Sequence, residues 1–262
     1  MLLLENKGAI VTGASTLIGA AVARALVGQG AKVVLADVDA DKGEKLAGEL
    51  GGKAVFVKTD VCADEQIDGA VASAMKFCGR IDVLVNIAAA YVDNGPASPR
   101  EDWLKSFDIN LFGAVMFLRA VRPHMAAVGG GAVVNFGSTS AHVAQAGRWT
   151  YPATKAAMLQ FTRSAALDLA ADGIRVNAVS PGWTWSGILD LISGGDLEKT
   201  NRVAAPFHML KRVATPEEVA NAVTFLCTPQ SSFITGANLP VDGGYSAMGP
   251  EQMLSPIAQL MG

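Results

Sequence analysis

The chain has little that would bind nucleic acid, metal or membrane. Lys and Arg number 21 against 24 Asp and Glu in 262 residues, a formal net charge of −3, and the basic residues are scattered rather than gathered into a patch. A phosphate-backbone partner would find no electrostatic footprint, so no nucleic acid is expected. The cysteines, Cys62, Cys78 and Cys227, are few, odd in number and widely spaced, with neither a C-x-x-C pair nor a neighbouring His pair. That predicts free, mostly buried thiols and no metal site. No apolar run reaches the ~18 residues of a membrane span. The opening Met1-Leu2-Leu3-Leu4-Glu5-Asn6-Lys7 meets its charges too early to be a secretory leader. A soluble, cytoplasmic protein without a membrane partner is expected. No Pro/Ser/Gly-rich linker or charge run divides the sequence, which reads as one domain over 1–262.

What is abundant is apolar residue. Half the chain is hydrophobic and only 17% is charged, enough material for a core whose strands are buried on both faces. Strand patterns fall at 7–11, 31–36, 54–58, 81–85, 131–136, 174–179 and 238–241. Helical patterns lie between most of them: through Val27, over 41–50, 64–77, 100–125, from Tyr151 to Ala171, and over 216–226. Such alternation predicts an α/β fold of Rossmann type, a doubly wound parallel sheet with helices on both faces.

The residues with the most chemistry lie between Ser138 and Lys155. In Tyr151-Pro152-Ala153-Thr154-Lys155 a helix puts the phenol and the ammonium four residues apart on one face. Pro152 suits the first turn, so the helix begins at or just before Tyr151. A cation one turn away favours the phenolate and is expected to lower the Tyr151 pKa. Ser138, leaving the 131–136 strand where open α/β sheets put their ligands, can donate to a substrate oxygen whose charge is changing. Each feature has an ordinary structural reading as well, since Tyr and Lys share many helix faces and Ser is a common turn residue. Asn110, amid apolar neighbours, is either a packing hydrogen bond or part of a polar relay.

At the other end of the chain, Thr12-Gly13-Ala14-Ser15-Thr16-Leu17-Ile18-Gly19 joins the first strand to a helix, whose N-terminus would face an anion such as a pyrophosphate. Asp37 ends the second strand eighteen residues after Gly19. An acid there accepts from ribose hydroxyls and repels a 2′-phosphate; the alternative is a helix N-cap or turn acid.

With the glycine turn, Asn86, Asn110, Ser138, Tyr151 and Lys155 in this order, the sequence resembles the short-chain dehydrogenase/reductase family over nearly its whole length. The resemblance implies that Gly13, Ser15, Thr16, Leu17, Ile18 and Gly19 form the cofactor turn. Asp60 and Val61 would contact adenine, and Asn86-Ile87-Ala88-Ala89 would match the family's Asn-Asn-Ala-Gly strand end, with Asn86 and Ala88 at the cofactor. Pro181, Gly182, Thr184 and Ser186 would hold the nicotinamide end. Ser138, Tyr151, Lys155 and Asn110 match the catalytic four. In the implied mechanism Tyr151 takes the alcohol proton as hydride passes to nicotinamide C4, and Ser138 holds the substrate oxygen. Lys155 lowers the Tyr151 pKa and binds ribose, and Asn110 supports a water leading to solvent. Leu17 stands where the family has the turn's middle glycine, and Ala89 where it has a glycine.

The expected activity is therefore NAD-dependent interconversion of a secondary alcohol and a ketone. A 3-oxoacyl thioester reductase of fatty-acid type and a non-catalytic dinucleotide-sensing module are the alternatives. Asp37, with no basic residue beside Thr16, favours NAD over NADP. Substrate identity must lie in the pocket wall, for which Tyr91, His142, Gln145, Trp149, Trp183, Trp185, Phe207 and Met209 are candidates by position. The stretch 183–212, with Gly194-Gly195 and Pro206, reads as an irregular flap that closes over the site. The tail over 246–262 is apolar enough to pack on something. Ala156, Ala157, Ala165 and Ala166 beside Leu159 and Phe161 suggest a small-residue helix surface for another copy, consistent with the homotetramer that the resemblance implies.

Overall fold

Seven strands carry the β-branched and small apolar residues that fit a pleated surface buried on both sides: β1 (Gly8–Thr12), β2 (Lys32–Asp37), β3 (Ala54–Lys58), β4 (Val83–Asn86), β5 (Gly131–Phe136), β6 (Ile174–Pro181) and β7 (Asn238–Val241). In the computed structural model, which describes residues 2–249 and 256–261, they form one parallel sheet in the order β3-β2-β1-β4-β5-β6-β7. The chain runs outward from β1 through β2 to β3, then returns to β4 and runs the other way. The crevice of an open α/β sheet lies at such a reversal, outside the carboxyl ends of the strands. The register levels those ends: Thr12 is paired with both Ala36 and Asn86, and Asn86 with Asn135.

Helices cover both faces. α1 (Leu17–Gly28), α2 (Ala40–Leu50) and α9 (Pro216–Cys227) enclose one core, in which Val22, Leu26, Val219 and Val223 meet Val11, Leu35 and Val179. On the other face α3 (Asp64–Cys78), α5 (Gly113–Ala127) and α6 (Thr150–Leu169) close over Ile10, Leu84 and Val133. α4 (Arg100–Phe107) precedes α5, and α7 (Gly187–Ser193) and α8 (Leu197–Ala204) fall between β6 and α9. The helix starts are written locally. Thr16 caps α1 by accepting the Gly19 N–H, and Thr215 and Glu218 form a reciprocal capping box at α9.

Several sequence expectations are corrected here. The helical region after Pro99 is not continuous: residues Asp108–Phe112 form a π turn between α4 and α5, and Asn110 lies inside it. The 183–212 stretch is not irregular but holds α7 and α8. Gly194, at φ 71°, terminates α7 in the left-handed conformation that spares glycine a steric cost, and Asp196 starts α8 by accepting the Lys199 N–H. The paired glycines thus join two helices. Of the cysteines only Cys227 is buried; Cys62 is exposed and Cys78 half-buried. On α6, Ala165, Ala166 and Leu159 pack inside their own chain, while Ala156 is exposed and Ala157 and Phe161 are half-buried, so only part of the expected small-residue surface is open. Much of the tail falls outside the described residues; within it α10 (Pro256–Leu260) exposes Ile257 and Leu260. No helix among the described residues is long and apolar enough to cross a membrane, and they hold no cluster of metal-ligating side chains.

Candidate active site

Along the carboxyl edge of the sheet, buried polar side chains replace the apolar ones. Thr12 Oγ1 accepts the N–H groups of Ile87 and Ala88, tying the glycine turn to the end of β4. Asn86 Nδ2 donates to Asn135 Oδ1 at 2.9 Å, and Asn135 Nδ2 donates to Thr162 Oγ1 on α6 at 3.0 Å. Asn86 Oδ1 is buried and has no partner among the described residues, an unmet acceptor of the kind a bound polar group satisfies.

The turn between β1 and α1 is as tight as its glycines allow. Gly13 sits at φ 65°, and a Cβ there would come within 2.8 Å of the Ala88 nitrogen. At Gly19 a Cβ would lie 2.1 Å from the Gly13 carbonyl oxygen. Thr16 Oγ1 bridges the turn, donating to Gly13 O at 2.8 Å and accepting the Gly19 N–H at 3.0 Å. Leu17, in the place of the middle glycine, is 45% exposed on the first turn of α1, so its side chain takes no part in that packing. Asp37 Oδ2 accepts the Ser15 N–H at 2.9 Å and Oδ1 the Asp39 N–H at 3.0 Å. The helix cap at α2 is instead Asp39, which accepts the Lys42 N–H. A carboxylate has about four acceptor positions, so two remain on Asp37 beside the turn. A dinucleotide fits this cradle: glycine backbone and a helix N-terminus for pyrophosphate, a carboxylate for ribose and an unmet amide oxygen further in. Asp60 is exposed and holds the Cys62 N–H through Oδ1, while Val61 packs where a Cβ on Gly113 would collide with it.

At the centre of the edge lies α6. Tyr151 and Lys155 are both buried, with Lys155 Nζ 5.6 Å from the centroid of the Tyr151 ring and donating to Phe136 O at 2.8 Å. The expected pKa shift of Tyr151 is corrected. Burial pushes the phenol well above its ordinary value, the Tyr91 hydroxyl adds to this, and only the Ser138 hydroxyl and the Arg148 guanidinium pull against it. Burial acts on Lys155 too, bringing its ammonium down to about 8. Both changes favour the neutral forms, as desolvation without an anionic partner must. Ser138 Oγ accepts the Ser140 N–H at 3.1 Å, which leaves its own proton to donate elsewhere.

Asn110 does not reach Lys155 directly. Its amide grips the backbone of Ala90 from both sides, accepting the N–H at 2.7 Å and donating to the carbonyl at 3.0 Å, and it also donates to Thr154 Oγ1 at 3.2 Å. The π turn supplies the geometry, as such turns often do at functional sites. The strip it holds continues along three residues that meet three residues at the start of α6. Tyr91 stacks on Tyr151 with centroids 4.7 Å apart, and Val92 O accepts from Thr150 Oγ1. Asp93 accepts the Trp149 N–H at 2.9 Å and the Tyr151 N–H at 3.1 Å. α6 has no cap of its own, so Asp93 supplies one from 58 residues away. Sequence reasoning missed Asp93, because Asp-Asn-Gly-Pro reads as an ordinary turn and no spacing links it to Tyr151.

The chain matches, over residues 13–246, a family model described as enoyl-(acyl carrier protein) reductase. A cis-4-hydroxycyclohexanecarboxylate dehydrogenase of Sinomonas cyclohexanicum is 39% identical, covering 93% of this chain and 98% of its own length. The protein is a short-chain dehydrogenase/reductase. The 7alpha-hydroxysteroid dehydrogenase of Escherichia coli K12 is 30% identical over 92% of this chain and 94% of its own length. The crystal structure of gox2181 superposes with a TM-score of 0.87 at 33% identity, covering 94% of this chain and 98% of that one. Enzymes of this family use nicotinamide dinucleotides, NAD or NADP, and the named relatives act on CH–OH groups.

The remaining candidates divide by position. Pro181 and Gly182 lie at the end of β6, with the Gly182 N–H on Val241 O; Thr184 is buried and bridges to Ala214; and Ser186 precedes α7. Trp183 stacks on Phe207 at 6.1 Å and its backbone N–H donates to Nε2 of His208, a buried residue that sequence reasoning also missed. Trp185 donates its backbone N–H to Ala214 O. Gln145 hydrogen-bonds Ser140 and lies 3.5 Å from the Tyr245 hydroxyl. His142 turns away to Asn238, while Trp149 and Met209 are exposed.

Proposed function

We propose that this protein is an NAD-dependent alcohol dehydrogenase and carbonyl reductase acting on a secondary carbinol, with Tyr151 as proton donor and acceptor. The observation that carries this reading is the buried Tyr151–Lys155 pair beside Ser138, on the same sheet edge as the turn held by Asp37. When bound, NAD supplies the hydride acceptor and, in its oxidised form, a positive charge near the phenol. Ser138 donates a hydrogen bond to the substrate oxygen and fixes it against Tyr151 Oη. Tyr151 takes the alcohol proton in oxidation and returns it in reduction, and Lys155 stabilises the phenolate. Asn110 and Asp93 hold the strip and the helix start on which Tyr151 depends. Asp37 favours NAD, because the 2′-phosphate of NADP would meet a carboxylate already held at the ribose position.

Initial rates of NADH and NADPH formation over a panel of cyclic, aromatic and sugar alcohols test the proposal. NAD should be preferred, and Asp37→Ser should narrow the preference. Equal or better kcat/KM with NADP would refute the cofactor assignment. The description of the matching family model favours a second reading, a reductase of acyl thioesters; NADPH-dependent reduction of such a thioester would support it over the first. We further propose a cytoplasmic homotetramer, which a monomer by light scattering at micromolar concentration would refute.

A further inference from the structure

We propose that the substrate alcohol carries a carboxylate, and that Arg148 binds it while the carbinol lies against Tyr151; the proposal rests on the alcohol dehydrogenase reading above. Arg148 comes just before α6, and its guanidinium carbon stands 5.4 Å from the centroid of the Tyr151 ring. Five other arginines, Arg24, Arg80, Arg122, Arg202 and Arg212, pair with acids. Arg148 pairs with none among the described residues. Among the described residues the guanidinium makes one hydrogen bond, a long one from Nη1 to Gln145 Oε1 at 3.4 Å.

Gln145 is itself held in place. Its Oε1 accepts from Ser140 Oγ at 2.7 Å, and its Nε2 reaches the Tyr245 hydroxyl at 3.5 Å. This tethers the guanidinium to the wall that carries Ser138. Asp93, the acid bonded to the backbone next to Arg148, has one oxygen on the Trp149 and Gly95 N–H groups and the other on Tyr151. The cation therefore stands half-buried over the Tyr151 ring with most of its donors unused among the described residues.

A guanidinium presents parallel N–H groups that match a carboxylate, and one such group balances a single negative charge. A phosphate dianion would call for a second cation on this wall. The other cation beside Tyr151 is Lys155, which is buried and bonded to Phe136 O. An alcohol that also carries a carboxylate could meet both groups, its hydroxyl at Tyr151 and its charge at Arg148. A neutral sterol or polyol would leave the guanidinium without a counter-charge.

The test uses 4-hydroxycyclohexanecarboxylate and its methyl ester, which share one carbinol and differ in charge, with NAD and the purified full chain. The acid should be favoured in kcat/KM by at least about 30-fold, the low end for truncating a desolvated charge pair. Arg148→Gln should bring that ratio near one, chiefly through KM, and Arg148→Lys should restore part of it. Cyclohexanecarboxylate should bind the wild-type protein in the presence of NAD and lose affinity in Arg148→Gln. Circular dichroism and NAD binding confirm that the variants are folded.

A wild-type ratio near one would overturn the proposal while leaving the alcohol dehydrogenase reading intact. Equal losses on both substrates in Arg148→Gln, with a displaced pH profile, would also overturn it, since Arg148 would then act only on the Tyr151 phenol. If no alcohol is turned over, the underlying reading fails, and cyclohexanecarboxylate binding still decides the anion site: no Arg148-dependent binding overturns it.

Discussion

The start of α6 and the segment 183–212 lie at the same edge of the sheet and are secured differently. Around Tyr151 every contact is specific: a stacked ring from Tyr91, backbone bonds from Asp93 and a buried ammonium on Phe136 O. Across the crevice, α7 and α8 carry Leu191 at 76%, Ile192 at 68% and Val203 at 52% exposure. That segment is held where Trp183 meets His208 and Trp185 meets Ala214, and along α8 by buried Thr200 and Ala204 and by Asn201 Oδ1, which accepts the Val213 N–H. Proton transfer needs a group fixed to a fraction of an ångström, whereas admitting substrate needs an element that opens at little cost. Apolar side chains left in water along α7 and α8 suit a surface that closes on ligand.

The largest effect should come from the fixed wall. Tyr151→Phe should remove nearly all turnover and leave NAD binding close to wild type, as measured by steady-state rates and cofactor fluorescence. Retention of more than a small fraction of kcat would show that the base lies elsewhere. In the wild type, log kcat/KM for oxidation should rise with pH. Reduction, which needs the protonated phenol, should be level near neutrality, because burial raises the phenol pKa.

Lys155→Met should also abolish activity yet raise the melting temperature at neutral pH, since it replaces a buried ammonium by an apolar side chain of similar length. The sign follows from burial lowering the Lys155 pKa from its ordinary 10.5 to about 8. Between those values the unfolded chain binds the proton and the folded one does not, so wild-type stability gains as pH rises through that window. Thermal melts of both proteins across it should converge at the alkaline end; a constant difference would mean that Lys155 binds its proton equally in the folded and unfolded chain, so that burial does not shift it.

Loss of the long-range cap should do less. Asp93→Ala strips the start of α6 of its acceptor, a change worth ~1–2 kcal/mol for helix caps. It should also lower kcat ~10-fold through a loosened Tyr151, with KM for NAD little moved. A melt shifted without any fall in kcat would make Asp93 a purely structural residue.

The smallest effect, and the one that sharpens the contrast between the walls, concerns the opposite segment. Limited proteolysis between Gly194 and Arg202 should slow when NAD is added, while cleavage near α6 stays absent in both states. Equal rates with and without NAD would mean that α7 and α8 form a rigid wall.

Local pattern was enough for what is decided within a few residues. Thr16 and Gly19 set the turn and start of α1, the alternation of β-branched runs with helical ones set a parallel sheet, and the i, i+4 spacing put Tyr151 and Lys155 on one face. Ser138, Asn110 and Asp37 were found as types of residue at suitable places in the order. Their partners were not, because a hydrogen bond across 20 or 58 residues leaves no mark in local sequence. The two helices in 183–212 were missed because paired glycines read as irregularity, when one of them ends a helix.

The sequence by itself determined the fold and the chemical identity of the buried edge, since hydrophobic period and turn chemistry act over short distances. Only the tertiary structure decided that Asp93 caps α6, that Arg148 faces the Tyr151 ring with no acid paired to it among the described residues, and that burial rather than the neighbouring ammonium governs the phenol. The reason is physical: capping at a distance, charge pairing and desolvation all depend on which atoms the folded chain brings within a few ångströms or shuts away from water.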